Sequence, residues 1–109
     1  MDKIRIFGNA DLFGSINIPG SKNAALPILV SSLLSDKLLT LKNLPHLEDI
    51  VSMIKLLKNF GISSKVANNE LILNSSNIRN NIADYEIVRK MRASILVLGP
   101  LLARFNEAK

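Results

Sequence analysis

Two stretches of this chain, Ala24–Leu34 and Ala93–Ala103, contain no charged residue. Wound into helices, each would be apolar on nearly every face, and a helix of that kind has to be surrounded on all sides. The chain has 109 residues, 48% of them hydrophobic, and small domains bury only a modest fraction of their surface. The expectation is a chain that completes its core against further protein. Neither run approaches the roughly 20 apolar residues that span a bilayer, so no membrane role is expected. The start, Met1-Asp2-Lys3-Ile4-Arg5, has no apolar export core, which makes the cytoplasm the default location. With no cysteine, one histidine and no acidic cluster, the sequence predicts neither a disulfide framework nor a metal centre, and it calls for no cofactor.

The remaining pattern reads as alternating elements. Ile4-Arg5-Ile6-Phe7 and Gly14-Ser15-Ile16-Asn17-Ile18 nearly alternate apolar and polar residues, predicting two short strands joined by turn residues. A helix is predicted from Lys22 to Leu34, with Pro27 tolerated in its first two turns. Leu38–Leu41 reads as a strand. Ile50, Met53, Ile54, Leu57 and Phe60 then recur at helical spacing, and Gly61 supplies the stop. Residues 63–66 and 71–73 flank Asn68-Asn69 as a hairpin. Residues 14–73 therefore read as strand, helix, strand, helix, strand, strand. A loop covers Asn74–Asn81, a turn or short helix begins near Asp84, and Met91–Phe105 is predicted as a second buried helix kinked at Gly99-Pro100.

The chemistry concentrates in Pro19-Gly20-Ser21-Lys22-Asn23. Pro-Gly ends the preceding strand, Ser21 is a good N-cap, and Lys22 and Asn23 fall in the first helical turn. Unpaired N–H groups and the positive end of the helix dipole already attract anions there. A lysine at that point is poorly placed for the helix and well placed for a phosphate. An ordinary solvated lysine snorkelling off a helix end is the other reading of the same residue. A P-loop is excluded, because Gly14 and Gly20 are separated by five residues, Ser21 precedes Lys22, and Asn23 replaces the required hydroxyl. No Gly-x-Gly-x-x-Gly dinucleotide fingerprint occurs either.

Charge is unevenly distributed. Residues 1–50 carry five basic and five acidic side chains, whereas residues 51–109 carry nine and four. The chain's five aromatic residues are not interleaved with the basic ones as a nucleic-acid stacking surface requires. A basic half can mean nucleic acid, and small anionic partners explain the balance equally well; a nucleic-acid binder is kept as a third reading, and the partners expected here include no nucleic acid.

Three segments together resemble the enolpyruvyl transferases. They are the run Pro19–Pro27, Leu44-Pro45 followed by Leu47-Glu48-Asp49-Ile50, and Met91-Arg92-Ala93-Ser94-Ile95 with Leu98–Phe105. The resemblance runs from Met1 to Lys109 and is to the N-terminal quarter of the branch that acts on UDP-N-acetylglucosamine. The shikimate-pathway branch shares Pro-Gly-Ser-Lys but typically continues with Ser and Asn-Arg, where this chain has Asn23-Ala24-Ala25.

The resemblance implies an α/β fold, part of an inside-out α/β barrel in which helices lie inside and sheets outside. One strand-helix-strand-helix-strand-strand unit would be complete here. Residues 1–20 would supply strands to the second globular domain, and residues 21–109 would begin the first. It further implies transfer of the enolpyruvyl group of phosphoenolpyruvate to the 3′-hydroxyl of UDP-N-acetylglucosamine, with release of phosphate, at the first committed step of peptidoglycan synthesis. Lys22 would be catalytic, supplying charge to phosphoenolpyruvate. Asn23 would orient substrate and Arg92 would contact the UDP-sugar, although a salt bridge from Arg92 to Glu86 or Asp84 is the alternative. Arg89, Lys90 and Arg104 are expected on solvated faces or in structural pairs, and His46 has no assigned role. In the family a loop acid, a further phosphate-binding arginine and an aspartate for the sugar hydroxyl lie later in the chain, so these 109 residues alone are expected to be inactive. A non-catalytic anion-binding module remains the alternative of a different class.

Overall fold

A computed structural model describes residues 1–109. The elements in order are α1 (Lys22–Ser31), which tightens into a 3-10 turn over Ser32–Leu34, then β1 (Leu38–Lys42), α2 (Glu48–Phe60), β2 (Ser63–Ala67) and β3 (Glu70–Asn74). They are followed by α3 (Tyr85–Val88), a 3-10 segment over Arg92–Val97 and α4 (Leu98–Phe105). The three strands form one antiparallel sheet in the order β1-β3-β2.

Helix α2 is where local sequence and packing agree most closely. Its apolar stripe buries Ile50, Met53, Leu56, Leu57 and Phe60, and each large side chain withdrawn from water contributes roughly 1.5–3 kcal/mol. The helix ends in a Schellman motif. Gly61 adopts φ 112°, its N–H donates to the Lys58 carbonyl, and the Ile62 N–H reaches back to Leu57. A side chain at position 61 would also strike the Asn77 carbonyl at 2.8 Å. The Asn68-Asn69 turn follows the expected pattern, since both residues have positive φ, 52° and 59°, as a two-residue type I′ hairpin requires.

The sheet is two-sided. Leu39 faces Leu73 and Leu41 faces Leu71 across the β1–β3 register, and all four pack on the core. The alternate residues Thr40, Lys42, Ile72 and Glu70 form the outer side. On that side Lys42 pairs with Glu70 at 2.8 Å. The hydrogen bond and negative charge of Glu70 raise the Lys42 pKa from its usual 10.5. The core itself joins α1 and α2 through Leu26, Leu29, Val30, Leu33, Met53 and Phe60, and the inner face of the sheet packs against it.

Arg104 fastens the last helix to this body. Its guanidinium donates to the carbonyls of Leu33 (3.1 Å), Ser35 (3.3 Å) and Ser75 (2.8 Å), and lies 5.3 Å from the Phe105 ring centre. A cation at this helix C-terminus also suits the dipole. Of the two expectations for Arg104, a solvated face or a structural pair, the structural one is nearer, with one side chain satisfying three carbonyls, those of Leu33 in the 3-10 turn, Ser35 just after it and Ser75 just after β3.

Two expectations need correction. Residues 4–7 and 14–18 form no strand; they lie along an extended N-terminal segment with Ile4, Phe7, Phe13 and Ile16 almost fully exposed. An alternating segment becomes a strand only when another edge accepts its N–H and C=O groups, and the three-stranded sheet does not pair with it. The repeat unit present is thus helix, strand, helix, strand, strand.

The second correction concerns Met91–Phe105, which is not one kinked helix. The break precedes Gly99-Pro100 and lies at Val97/Leu98, where 3-10 winding gives way to α4. Pro100 has no N–H for the Leu96 carbonyl and its ring would crowd that group, so α-winding cannot run through. Pro100 instead occupies the first turn of α4, where a missing N–H costs little.

Nor are the two apolar runs covered on every side. Ile28, Leu34, Ile95, Leu96, Leu98 and Leu102 remain 40–67% exposed. An unpartnered surface of this extent is sticky in water. The 109-residue chain alone should bind a hydrophobic dye such as ANS and self-associate; a monodisperse monomer that leaves the dye dark would contradict this.

Candidate functional site

The site starts at a tight backbone crossing. The Gly20 N–H donates to the Asn43 carbonyl at 3.1 Å, and the Asn43 side-chain amide donates to the Ile18 carbonyl at 3.4 Å. Asn43 itself has φ 56°, a left-handed conformation that asparagine tolerates better than most residues. Glycine is needed at position 20, because a Cβ there would lie 2.1 Å from the Asn43 oxygen. The loop after β1 thus fixes the point from which α1 departs.

Ser21 occupies the N-cap with extended backbone angles, and its carbonyl accepts the Ala25 N–H at 2.9 Å. Its hydroxyl makes no capping bond. The N–H groups of Lys22, Asn23 and Ala24 consequently have no acceptor within the chain, which is the anion-attracting arrangement of an open helix start. Asn23 is exposed beside them.

Lys22 does not stand as a solitary cation. Its Nζ lies 3.0 Å from Oδ2 of Asp49, with the two side chains 45% and 43% exposed. Asp49 is in the first turn of α2, where the helix dipole favours an acid, whereas Lys22 sits at the end of α1 that disfavours a cation. The pair brings two helix starts together. Sequence reading assigned Asp49 no role, since an acid in a first turn is ordinary and nothing local signals a partner so far along the chain.

Arg92 opens the 3-10 segment that packs against α1. It is exposed and forms no ion pair. The alternative pairing with Glu86 or Asp84 does not form: Glu86 holds Arg89 at 2.7 Å, and Asp84 caps α3 by accepting the Glu86 N–H at 2.8 Å. Arg89 is therefore in a structural pair, as expected.

A separate cleft of about 350 Å³ lies between the 43–47 loop, α2 and the hairpin. His46 lines it, but the walls are mostly apolar, including Leu44, Leu47, Val51 and Ile54. No three His, Cys, Asp or Glu side chains converge on a common point. No helix is long and apolar enough to cross a membrane.

The whole chain is similar to several UDP-N-acetylglucosamine 1-carboxyvinyltransferases. It is 50% identical over 109 residues to the protein of Campylobacter fetus subsp. fetus and 49% identical to that of Acinetobacter guillouiae, in each case over 100% of this chain and 26% of the relative. With the Rickettsia bellii protein the identity is 51% over 113 residues, 27% of that relative. This chain thus spans about a quarter of the length of these relatives. In structure it resembles the enolpyruvyl transferase NikO from Streptomyces tendae, with a TM-score of 0.77 and 14% identity over 89% of this chain and 23% of that one. The mixed α/β architecture with its three-stranded antiparallel sheet is consistent with a partial enolpyruvyl transferase fold, as expected. Residues 6–109 match the model of the family described as EPSP synthase (3-phosphoshikimate 1-carboxyvinyltransferase), and this chain belongs to that family.

Proposed function

We propose that this chain is the N-terminal part of an enzyme that transfers the enolpyruvyl group of phosphoenolpyruvate to the 3′-hydroxyl of UDP-N-acetylglucosamine and releases phosphate. The observation that carries the proposal is the open start of α1, where three free N–H groups, the Lys22 ammonium and the exposed Asn23 amide adjoin. Phosphoenolpyruvate brings a phosphate and a carboxylate to such a place. Lys22 would hold the phosphate and offset charge as the tetrahedral intermediate forms, while Asn23 orients substrate by hydrogen bonding. Arg92, exposed and without an ion-pair partner, is the residue for the UDP-sugar. Half-identity to relatives named for that substrate supports this acceptor over shikimate 3-phosphate.

The same proposal assigns residues 1–20 to the second globular domain of the complete enzyme. Their alternating, exposed apolar residues need a sheet edge that residues 21–109 do not supply. Action in the cytoplasm on the peptidoglycan pathway follows from the proposed substrates.

A full-length enzyme provides the test, with residues 1–109 joined to the remaining three-quarters of the Campylobacter fetus relative where their own reading frame does not supply them. Phosphate release should require both phosphoenolpyruvate and UDP-N-acetylglucosamine. Release with shikimate 3-phosphate in place of the UDP-sugar would transfer the assignment to the sister activity. Phosphoenolpyruvate binding without release under any acceptor would favour an anion-binding module. The 109-residue chain alone should release none.

A further inference from the structure

Building on the assignment of Lys22 to phosphoenolpyruvate, we propose that Asp49 is a positioning residue: it holds the Lys22 ammonium at the junction of the two helix starts and yields it to the incoming phosphate. Asp49 comes from a different helix, yet its Oδ2 lies 3.0 Å from Lys22 Nζ. Both residues stand on rigid supports. Ile50 and Met53 anchor the start of α2 in the core, and Ala25 and Leu26 do the same for α1. A free lysine side chain samples many rotamers, and ordering it at the moment of binding costs entropy. The carboxylate supplies that order beforehand.

Exposure makes the hold reversible. A half-exposed ion pair is weak, so a phosphate, which also gains the free N–H groups of α1, can displace the carboxylate. Asp49 nevertheless places negative charge close to where the anion binds. It therefore works against ground-state affinity while it favours the lysine geometry that the reaction needs. Loss of Asp49 should separate these two effects, whereas a purely structural residue would impair both together.

The test compares Asp49→Asn and Asp49→Glu with the parent in the full-length enzyme described above. Asp49→Asn is expected to lower kcat by about tenfold or more through misplacement of Lys22, with KM for phosphoenolpyruvate unchanged or reduced. Asp49→Glu, which keeps the charge, should recover part of the loss. A kcat within twofold of the parent, or a KM that rises as kcat falls, would overturn the proposal.

A second readout needs no turnover. Pyridoxal phosphate, an aldehyde carrying a phosphate, is trapped on lysines by borohydride, and labelling at Lys22 is followed by mass spectrometry. Removal of the competing carboxylate in Asp49→Asn should speed that labelling by about fivefold, with Asp49→Glu staying near the parent rate. Equal rates in all three proteins would refute the Asp49 role whether or not the enzyme transfers enolpyruvate. Altered labelling in a protein without transferase activity would instead leave the pair intact and count against the proposed reaction.

Discussion

Lys22→Ala in the full-length enzyme should reduce phosphate release by about 10²–10³-fold, the usual cost of removing one group that stabilises developing charge. Two effects combine here. The substitution would remove the charge-assisted contact proposed to phosphoenolpyruvate, and it leaves the Asp49 carboxylate unpaired beside the open N–H groups of α1. A site that was locally balanced becomes negative and repels its own substrate. Stability should scarcely change, because both side chains are nearly half exposed and surface pairs of this kind contribute only about 0–1 kcal/mol. Rates of phosphate release and thermal melts of parent and variant decide the matter. Normal turnover by Lys22→Ala would remove Lys22 from the mechanism, and a large drop in melting temperature would show that its role is structural.

Gly20→Ala should be almost as damaging without touching any substrate group. The added Cβ would lie 2.1 Å from the Asn43 carbonyl oxygen, the same atom that accepts the Gly20 N–H at 3.1 Å. Contact and hydrogen bond cannot both survive. Because the obstacle is backbone, no side-chain rotation relieves it, and the crossing has to shift. Lys22 begins α1 two residues later, so the shift is passed directly to the ammonium and the free N–H groups. A displacement near 1 Å at such a point costs about 10²-fold in rate. The core of α1 and α2 lies away from the crossing, so the folded state should persist with intact helical circular dichroism. A Gly20→Ala enzyme with parental kcat and KM would show that the crossing does not set the lysine position.

Legibility in the sequence followed the range of the interactions involved. The α2 stripe, its Gly61 stop, the Asn68-Asn69 hairpin and the short helix starting near Asp84 are each settled by residues within a turn or two of one another, and all four were readable. The strands expected at 4–7 and 14–18 were not realised, because alternation records only that a segment suits a sheet, not where an accepting edge lies. The break before α4 was misplaced by two residues. The proline acts on a carbonyl four positions earlier, not on its own peptide.

The site divides along the same line. Ser21, Lys22 and Asn23 already marked the start of α1 and the cation beside it, since N–H supply and charge belong to consecutive residues; the capping bond expected from the Ser21 hydroxyl does not form. The opposing carboxylate of Asp49, the Asn43 lock on Gly20 and the failure of Arg92 to pair with Glu86 could not be read that way. They depend on how the loop after β1 and the start of α2 come to lie against α1, which burial of Leu26, Leu29, Met53 and Phe60 in one core brings about. Local residue chemistry was enough to place a cation at an open helix start, because cap position, N–H supply and charge belong to neighbouring residues; the packing of two helices against one sheet set the Asp49 carboxylate beside it.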